Sequence, residues 1–175
     1  MIGRFLARRR SVFYLATKCG CQVGASAAPP GQRSPHVFTR ENIVAGVNQS
    51  LQRMKTDHLD VVQFHASPSR KTLDENGAID ALKDLQRQGK VRFVGMSGVL
   101  PDLADHIGMG VFDVLQIPYS ALERRNEDWI GKAAKAGIGT AIRGGVAKGE
   151  PGKSGVSRPG PWAMFERAKL NELVP

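Results

Sequence analysis

The chain has 175 residues, enough for one domain with a hydrophobic core, and 41% of them are hydrophobic, an ordinary share for a globular protein. No stretch approaches the roughly 20 consecutive apolar residues of a membrane span, so a membrane protein is not predicted. The net charge of +9 suggests a nucleic-acid partner, but the basic residues are dispersed and no aromatic residues interleave with them, so we do not predict nucleic-acid binding.

The first ten residues are rich in arginine and contain no acidic residue, a composition also found in organelle transit peptides. They have neither a long apolar segment nor a cleavage signal, so a secretory signal is not predicted. Because a predicted strand follows at once, we favour the end of an amphipathic helix over residues 1–11, with the start of that helix missing.

The chain has two cysteines, Cys19 and Cys21. On an extended segment they point the same way but lie too far apart for an easy disulfide bridge. Their spacing supports neither a disulfide framework nor a zinc site, so no metal is predicted and the cytoplasm is the expected compartment.

Short apolar runs alternate with helix-length amphipathic stretches along the chain. The runs predict five strands, at 12–16 (closed by Thr17 and Lys18), 59–65, 91–97, 114–118 and 138–143. The amphipathic stretches predict helices at 39–54, 72–88, 101–107, 126–136 and 162–173, and the segments 20–35 and 144–161 have the composition of loops. Thr39 is the expected N-cap of the first of these helices, and Thr72 with Glu75 has the spacing of a capping box for the second.

Strands that alternate with helices predict a parallel sheet, since parallel neighbours need crossover connections. An open doubly wound sheet, including a complete small flavodoxin-like domain, and a barrel both remain possible. A dinucleotide-binding doubly wound sheet would carry Gly-x-Gly-x-x-Gly after a strand, and the nearest candidate, Gly20 to Gly24, has the wrong spacing and no helix directly after it. The positions of the polar residues favour the barrel.

Each predicted strand is apolar until its last residues and then presents a functional group. The five groups are Lys18, His65, Ser97, Gln116 and Arg143. Barrel enzymes build their sites at the carboxyl ends of several strands. Any one of these residues alone fits a solvated loop or a helix cap, but five in succession predict a shared site.

Four blocks resemble successive segments of the aldo-keto reductase family: Leu15–Lys18, Ser50–His65, Gly89–Ser97 and Val114–Ser120. The resemblance runs from about Val12 to Gly149, and the order and spacing of the blocks match. It implies an α/β fold, a partial (β/α)8 barrel with about strands three to seven and their helices, as a single incomplete domain over 1–175. A complete barrel typically needs about 250 residues, so strands one, two and eight are expected to lie outside this chain.

The resemblance also implies a reaction: hydride transfer between a nicotinamide cofactor, NADPH or less often NADH, and a small aldehyde or ketone. Lys18 resembles the lysine that lowers the pKa of a proton-donating tyrosine, and His65 resembles the histidine that orients the carbonyl. The family's tyrosine and its supporting aspartate lie upstream of this chain. Tyr14 is about 13 Å down the strand from Lys18, and Tyr119 resembles an aromatic that stacks on the nicotinamide, so neither replaces it.

The resemblance implies a cofactor site as well. Ser97 and Gln116 resemble the pair that holds the nicotinamide carboxamide, although Gly98 stands where many members have asparagine. The loop after the last predicted strand resembles the segment along the pyrophosphate, with Arg143, Gly144, Gly145, Val146 and Gly149 as cofactor contacts.

Two functions are compatible with these residues. The first is an NADPH-dependent carbonyl reductase of which this chain is a part. The second is a non-catalytic remnant or interaction protein that retains part of the barrel. Because the tyrosine and aspartate are absent and the sheet would have two open edges, we predict that the chain alone is inactive and poorly stable. The natural substrate and the oligomeric state are not predicted.

Overall fold

The computed structural model describes Gly3 and residues 7–24, 34–121 and 123–145. The predicted helix at 162–173, most of the loop at 144–161 and the predicted contacts Val146 and Gly149 lie outside these residues. In the described part, the strands are β1 (Ala16–Cys19), β2 (Leu59–Phe64), β3 (Val91–Ser97), β4 (Val114–Pro118) and β5 (Gly139–Arg143). The helices are a 3₁₀ segment (Ala7–Val12), α1 (Arg40–Met54), α2 (Arg70–Glu75), α3 (Ala78–Arg87), α4 (Leu103–Gly108) and α5 (Glu127–Lys135).

All strand pairs are parallel, and the strands follow one another in the sheet in chain order, β1 to β5. A doubly wound sheet reverses its strand order at a switch point, and no reversal occurs among the described strands. The flavodoxin-like alternative is therefore wrong. Sequential order with a crossover between each pair of strands is the arrangement of a barrel wall.

The first strand begins later than predicted, at Ala16 instead of Val12. The amide of Leu15 donates to the carboxylate of Asp60 at 2.8 Å, so it is not available to a neighbouring strand. Val12 and Tyr14 are 75% and 80% exposed, so these two side chains are not part of the core. Val12, the first residue of the predicted strand, is the last residue of the 3₁₀ segment.

Helix α1 matches its prediction. The side chain of Thr39 accepts a hydrogen bond from the amide of Asn42, which satisfies one of the free N–H groups of the first turn. Ile43, Val47 and Leu51 recur at helical spacing and are buried against the sheet. Apolar burial along this stripe fixes which side of the helix contacts the core.

The single helix predicted at 72–88 is wrong, because the segment forms two helices, α2 and α3. Ser69, not Thr72, is the N-cap of α2, and its hydroxyl accepts from the amide of Thr72 at 3.3 Å. Gly77 separates the helices with a φ of +62°, a conformation that glycine adopts at little cost. The buried residues Leu73, Leu82 and Leu85 still lie on one apolar side across the break.

The side chains on the two faces of the sheet differ in how deeply they are buried. One face carries four residues at the carboxyl ends of their strands, Cys19, Phe64, Met96 and Ile117, and all four are buried in the hydrophobic core together with the apolar sides of the helices. Because side chains alternate along a strand, the neighbouring residues lie on the opposite face. That face is less covered: Ala16 and Lys18 are exposed, and Phe93 is 36% exposed.

Candidate active site

The strand register places the five predicted strand-end residues on one face. Lys18 pairs with Gln63, and Ser97 pairs with Gln116 in the parallel ladders. Gln63 pairs with Gly95, two residues before Ser97, and Gln116 lies two residues before Pro118, the partner of Arg143. His65 follows Gln63 by two residues and continues the same parity. All five side chains therefore belong to the less covered face, at the carboxyl edge of the sheet.

Ser97 and Gln116 are in direct contact. The hydroxyl of Ser97 donates to Oε1 of Gln116 at 3.4 Å, and Ser97 is only 6% exposed. The amide of Gly98 donates to the main-chain carbonyl of Gln116 at 3.1 Å, which locks the ends of β3 and β4 together. This pair presents a hydroxyl and a primary amide side by side, a combination that can both donate to and accept from a polar ligand.

Gln63 belongs to the same face, although the pattern of strand ends did not predict it as a site residue. It is 3% exposed, and its Oε1 is buried with no hydrogen-bond partner among the described residues. The neighbouring Gly95 leaves room for it, since a Cβ there would lie 2.9 Å from Cγ of Gln63 and 2.9 Å from the carbonyl oxygen of Val114. A glutamine two residues before His65 in an apolar strand was the available signal.

Arg143 contributes a second unsatisfied group. Its side chain is half-buried, and its Nε lies buried with no hydrogen-bond partner among the described residues. A buried donor without a partner is costly, so this atom is suited to an acceptor from outside the protein. Lys18 and Arg143 together make the carboxyl edge positively charged, which favours anionic ligands.

His65 is held by its main chain and by two neighbouring side chains. Its amide donates to the carbonyl of Cys19 at 3.0 Å. Its Nδ1 lies 3.2 Å from Sγ of Cys21 and 3.1 Å from Nε2 of His36, and the two imidazole rings meet edge-on at 4.9 Å. Burial, followed by the charges of His36, Lys18 and Arg143, lowers the pKa of His65 below its ordinary value. The imidazole is therefore neutral at neutral pH.

The chain turns sharply directly after His65. Ala66 and Ser67 have φ values of +65° and +53°, which non-glycine residues rarely adopt. The hydroxyl of Ser67 accepts from the amide of Val99 at 3.0 Å and donates to its carbonyl at 3.3 Å. These bonds hold the turn after β2 against the segment after β3, and so fix the position from which His65 projects.

Of the remaining predicted contacts, Tyr119 is half-buried after β4, and its amide donates to the carbonyl of Arg143 at 3.2 Å. Its hydroxyl interacts with the ion pair of Arg124 and Glu127. Gly144 and Gly145 are exposed directly after β5. Tyr14 is at the other end of the sheet, where it lines a concave surface of about 670 Å³ together with Arg10, His58 and Asp60.

The chain matches the family model described as "Aldo/keto reductase family" over residues 1–154. Among curated proteins, it is 27% identical over 150 residues to the uncharacterized oxidoreductase YqkF of Bacillus subtilis, covering 85% of this chain and 47% of that protein. It is 32% identical over 122 residues to Protein tas of Escherichia coli, covering 55% of this chain and 34% of that protein. The chain thus spans about half or less of the length of these relatives.

Solved structures of aldo-keto reductases also match this chain. The holo form of aldo-keto reductase AKR11C1 from Bacillus halodurans superposes with a TM-score of 0.79 at 25% identity, covering 99% of this chain and 58% of that one. Glycerol dehydrogenase AKR11B4 from Gluconobacter oxydans gives 0.70 at 25% identity, covering 89% and 49%.

The five described strands, with the helices that connect them, correspond to part of the (β/α)8 barrel of these neighbours, as predicted. In the described part of the chain, no helix is long and apolar enough to cross a membrane. The family match over most of the chain, the sequential parallel sheet and the relatives all agree, and the chain belongs to the aldo/keto reductase family.

Proposed function

We propose that this chain carries one half of an NADPH-dependent carbonyl-reducing site, with Lys18 and His65 at the reacting carbonyl and Ser97 with Gln116 at the nicotinamide. The observation that carries the proposal is the common parity of these four residues at the carboxyl ends of β1 to β4. Side chains from several strands converge at this edge in barrel enzymes. A small aldehyde or ketone is the proposed substrate, and NADH is the alternative cofactor.

The residues present fit a nicotinamide dinucleotide. The paired hydroxyl and amide of Ser97 and Gln116 match the donor and acceptor of a carboxamide. Tyr119 offers an aromatic face after β4, and Arg143 has a buried Nε without a partner among the described residues, suited to a phosphate oxygen. Gly144 and Gly145, and by resemblance Val146 and Gly149, extend this side of the site. These residues would hold a reduced nicotinamide, whose chemistry would be hydride donation to a carbonyl.

His65 is suited to orient the carbonyl. Its lowered pKa keeps the ring neutral, so one ring nitrogen carries a hydrogen. When Nδ1 accepts from His36 or Cys21, that hydrogen lies on Nε2, which donates to the carbonyl oxygen as negative charge develops there. Lys18 supplies the positive charge that, in the family pattern, lowers the pKa of a proton-donating tyrosine.

That tyrosine is not supplied by this chain. Its two tyrosines are Tyr14 and Tyr119. Tyr14 is 80% exposed at the opposite end of the sheet from Lys18. Tyr119 follows β4, three strand spacings or about 14 Å along the sheet from β1. We therefore propose that the 175-residue chain by itself binds cofactor but does not turn over carbonyls at enzymatic rates.

The test separates binding from turnover. Fluorescence titration of the full chain with NADPH and with NADH should show binding, which Ser97→Ala and Gln116→Leu each weaken about tenfold, the value of one lost hydrogen bond. The matched control Gln52→Leu, on the exposed side of α1, should bind like wild type. Absence of binding, or equal binding by all variants, contradicts the cofactor site. Oxidation of NADPH with an aldehyde at ordinary enzyme rates contradicts the missing proton donor.

A further inference from the structure

Three side chains that can bind a metal converge beside β1 and β2. Cys21, His36 and His65 each offer one ligand atom, and these atoms all lie within 4.8 Å of one another. We infer that they form a binding site for a divalent metal of the zinc class, which the spacing of the two cysteines had not predicted. The cluster shares His65 with the proposed carbonyl site, but it is inferred from the positions of three ligand atoms and not from that function. Metal binding also has its own spectroscopic signal, so the two proposals can fail separately.

The distances suit such an ion. Zinc binds thiolate sulfur at about 2.3 Å and imidazole nitrogen at about 2.0–2.1 Å, so tetrahedral geometry separates the ligand atoms by about 3.3–3.6 Å. Nδ1 of His65 lies 3.2 Å from Sγ of Cys21 and 3.1 Å from Nε2 of His36. Both distances are a few tenths of an ångström shorter than this spacing, and the third pair, Sγ of Cys21 and Nε2 of His36, lies within 4.8 Å.

The main chain holds two of the ligands together. Cys21 and His36 form an antiparallel bridge, flanked by hydrogen bonds from the amide of Gln22 to the carbonyl of Pro35 at 2.9 Å and from Val37 to Gly20 at 2.7 Å. These bonds set the approach of Cys21 to His36 before any ion binds. A site that is already formed loses less entropy on binding than one assembled from free loops.

Asn42 in α1 braces this bridge. Its Nδ2 donates to the carbonyls of Cys21 and Val37 at 3.1 and 2.7 Å, and its Oδ1 accepts from the amide of Val23 at 3.1 Å. The ring of His36 lies nearly parallel to that of Phe38, with the two centroids 6.2 Å apart. Outer contacts of this kind orient metal ligands.

A divalent ion binds a deprotonated thiol and a neutral imidazole. In the bound form, the thiolate of Cys21 would offset the repulsion of a divalent ion by Lys18 and Arg143. Three protein ligands leave a fourth position for water or a small anion, as in open zinc sites. An ion on Nδ1 leaves the hydrogen of His65 on Nε2, so the ring keeps its donor.

The full chain is titrated with Co²⁺ after treatment with a chelator. We expect one ion per chain, visible tetrahedral d–d bands and a thiolate-to-cobalt charge-transfer band, all displaced by Zn²⁺. Zn²⁺ should also protect Cys21 from alkylation, mapped by mass spectrometry, while the buried Cys19 serves as an internal reference. This protection needs no variant, so a folding defect cannot obscure it.

Variants then assign the ligands. Cys21→Ser should abolish the charge-transfer band. His36→Gln should weaken binding at least about tenfold, since even outer-shell partners contribute about 10- to 100-fold to affinity. His58→Gln, a histidine outside the cluster that contacts Asp57, should bind like wild type. The inference is overturned if no thiolate band and no protection of Cys21 appear, or if His58→Gln loses the ion while the cluster variants keep it.

Discussion

Nη2 of Arg10 donates to Oδ2 of Asp60 at 2.6 Å, and this ion pair is largely buried, with side-chain exposures of 14% and 5%. The same guanidinium also donates to the carbonyls of Phe13 and His58 at 3.0 and 3.2 Å. Oδ2 of Asp60 accepts the amide of Leu15 as well. The pair thus ties the segment before β1 to the start of β2.

Replacing Asp60 with asparagine should lower the free energy of unfolding by about 3 kcal/mol, because Arg10 is left buried without its counter-charge. The exposed pair of Arg70 and Asp74 is the comparison, and Asp74→Asn should cost about 1 kcal/mol or less. Urea unfolding at pH 7 measures both. Equal effects of the two substitutions would mean that burial of the Arg10 pair has no energetic consequence.

The same carboxylate should make stability depend on pH. Burial alone would raise the pKa of Asp60, but the amide of Leu15 and the guanidinium of Arg10 outweigh it and hold the pKa below its ordinary value near 3.8. This stabilisation is present above pH 3.8 and is lost as the pH falls through the pKa of the folded state. Unfolding measured between pH 7 and pH 2 should show a shallower acid dependence in Asp60→Asn than in wild type.

His65 should titrate below 6.5. Burial is the largest cause of its lowered pKa, followed by His36, Lys18 and Arg143, so Lys18→Met should raise the pKa only part of the way back. The unfolded chain binds more protons at this residue as the pH falls below 6.5, so its contribution to stability decreases there. NMR titration of the ring signals, with a chelator present, measures the pKa. A value of 6.5 or above in wild type contradicts the structure.

Replacing Gly95 or Gly131 with alanine should change the free energy of unfolding in opposite directions. A Cβ at Gly95 would lie 2.9 Å from both Gln63 and the main chain of Val114, so Gly95→Ala should cost about 1–3 kcal/mol. Gly131 lies in α5, where a Cβ would enter open space, so Gly131→Ala should stabilise by about 0.5–1 kcal/mol. Thermal unfolding of both variants gives the sign directly, and stabilisation by Gly95→Ala would show that the sheet relaxes there.

Gly98→Asn introduces the residue that many family members carry after the serine, and it should destabilise this chain. The new Cβ would lie 3.0 Å from Leu103 and 3.3 Å from Nδ1 of the buried His106, whose Nε2 donates to the carbonyl of Pro68 at 2.8 Å. We expect a loss of about 1–3 kcal/mol in urea unfolding. Gly108→Asn, at the exposed end of α4, is the control and should cost less than half as much.

Several features could be predicted from the residues in chain order. The alternation of apolar runs with amphipathic stretches predicted the parallel sheet, because period-two and helical patterns are local properties of the sequence. The N-cap at Thr39 was equally local. Local signals were insufficient at Thr72, because Ser69 has the same capping chemistry one turn earlier and Gly77 separates the two helices.

The pattern of apolar runs along the chain predicted that five residues lie at strand ends, and strand parity then required them to share a face: Lys18, His65, Ser97, Gln116 and Arg143. Only the tertiary structure brought Cys21 and His36 to His65, across 44 and 29 residues of chain. Only it showed Gln63 buried with an unsatisfied oxygen among the described residues. These contacts could not be predicted because they depend on how a loop folds over the sheet edge, and loop packing has no period in the sequence.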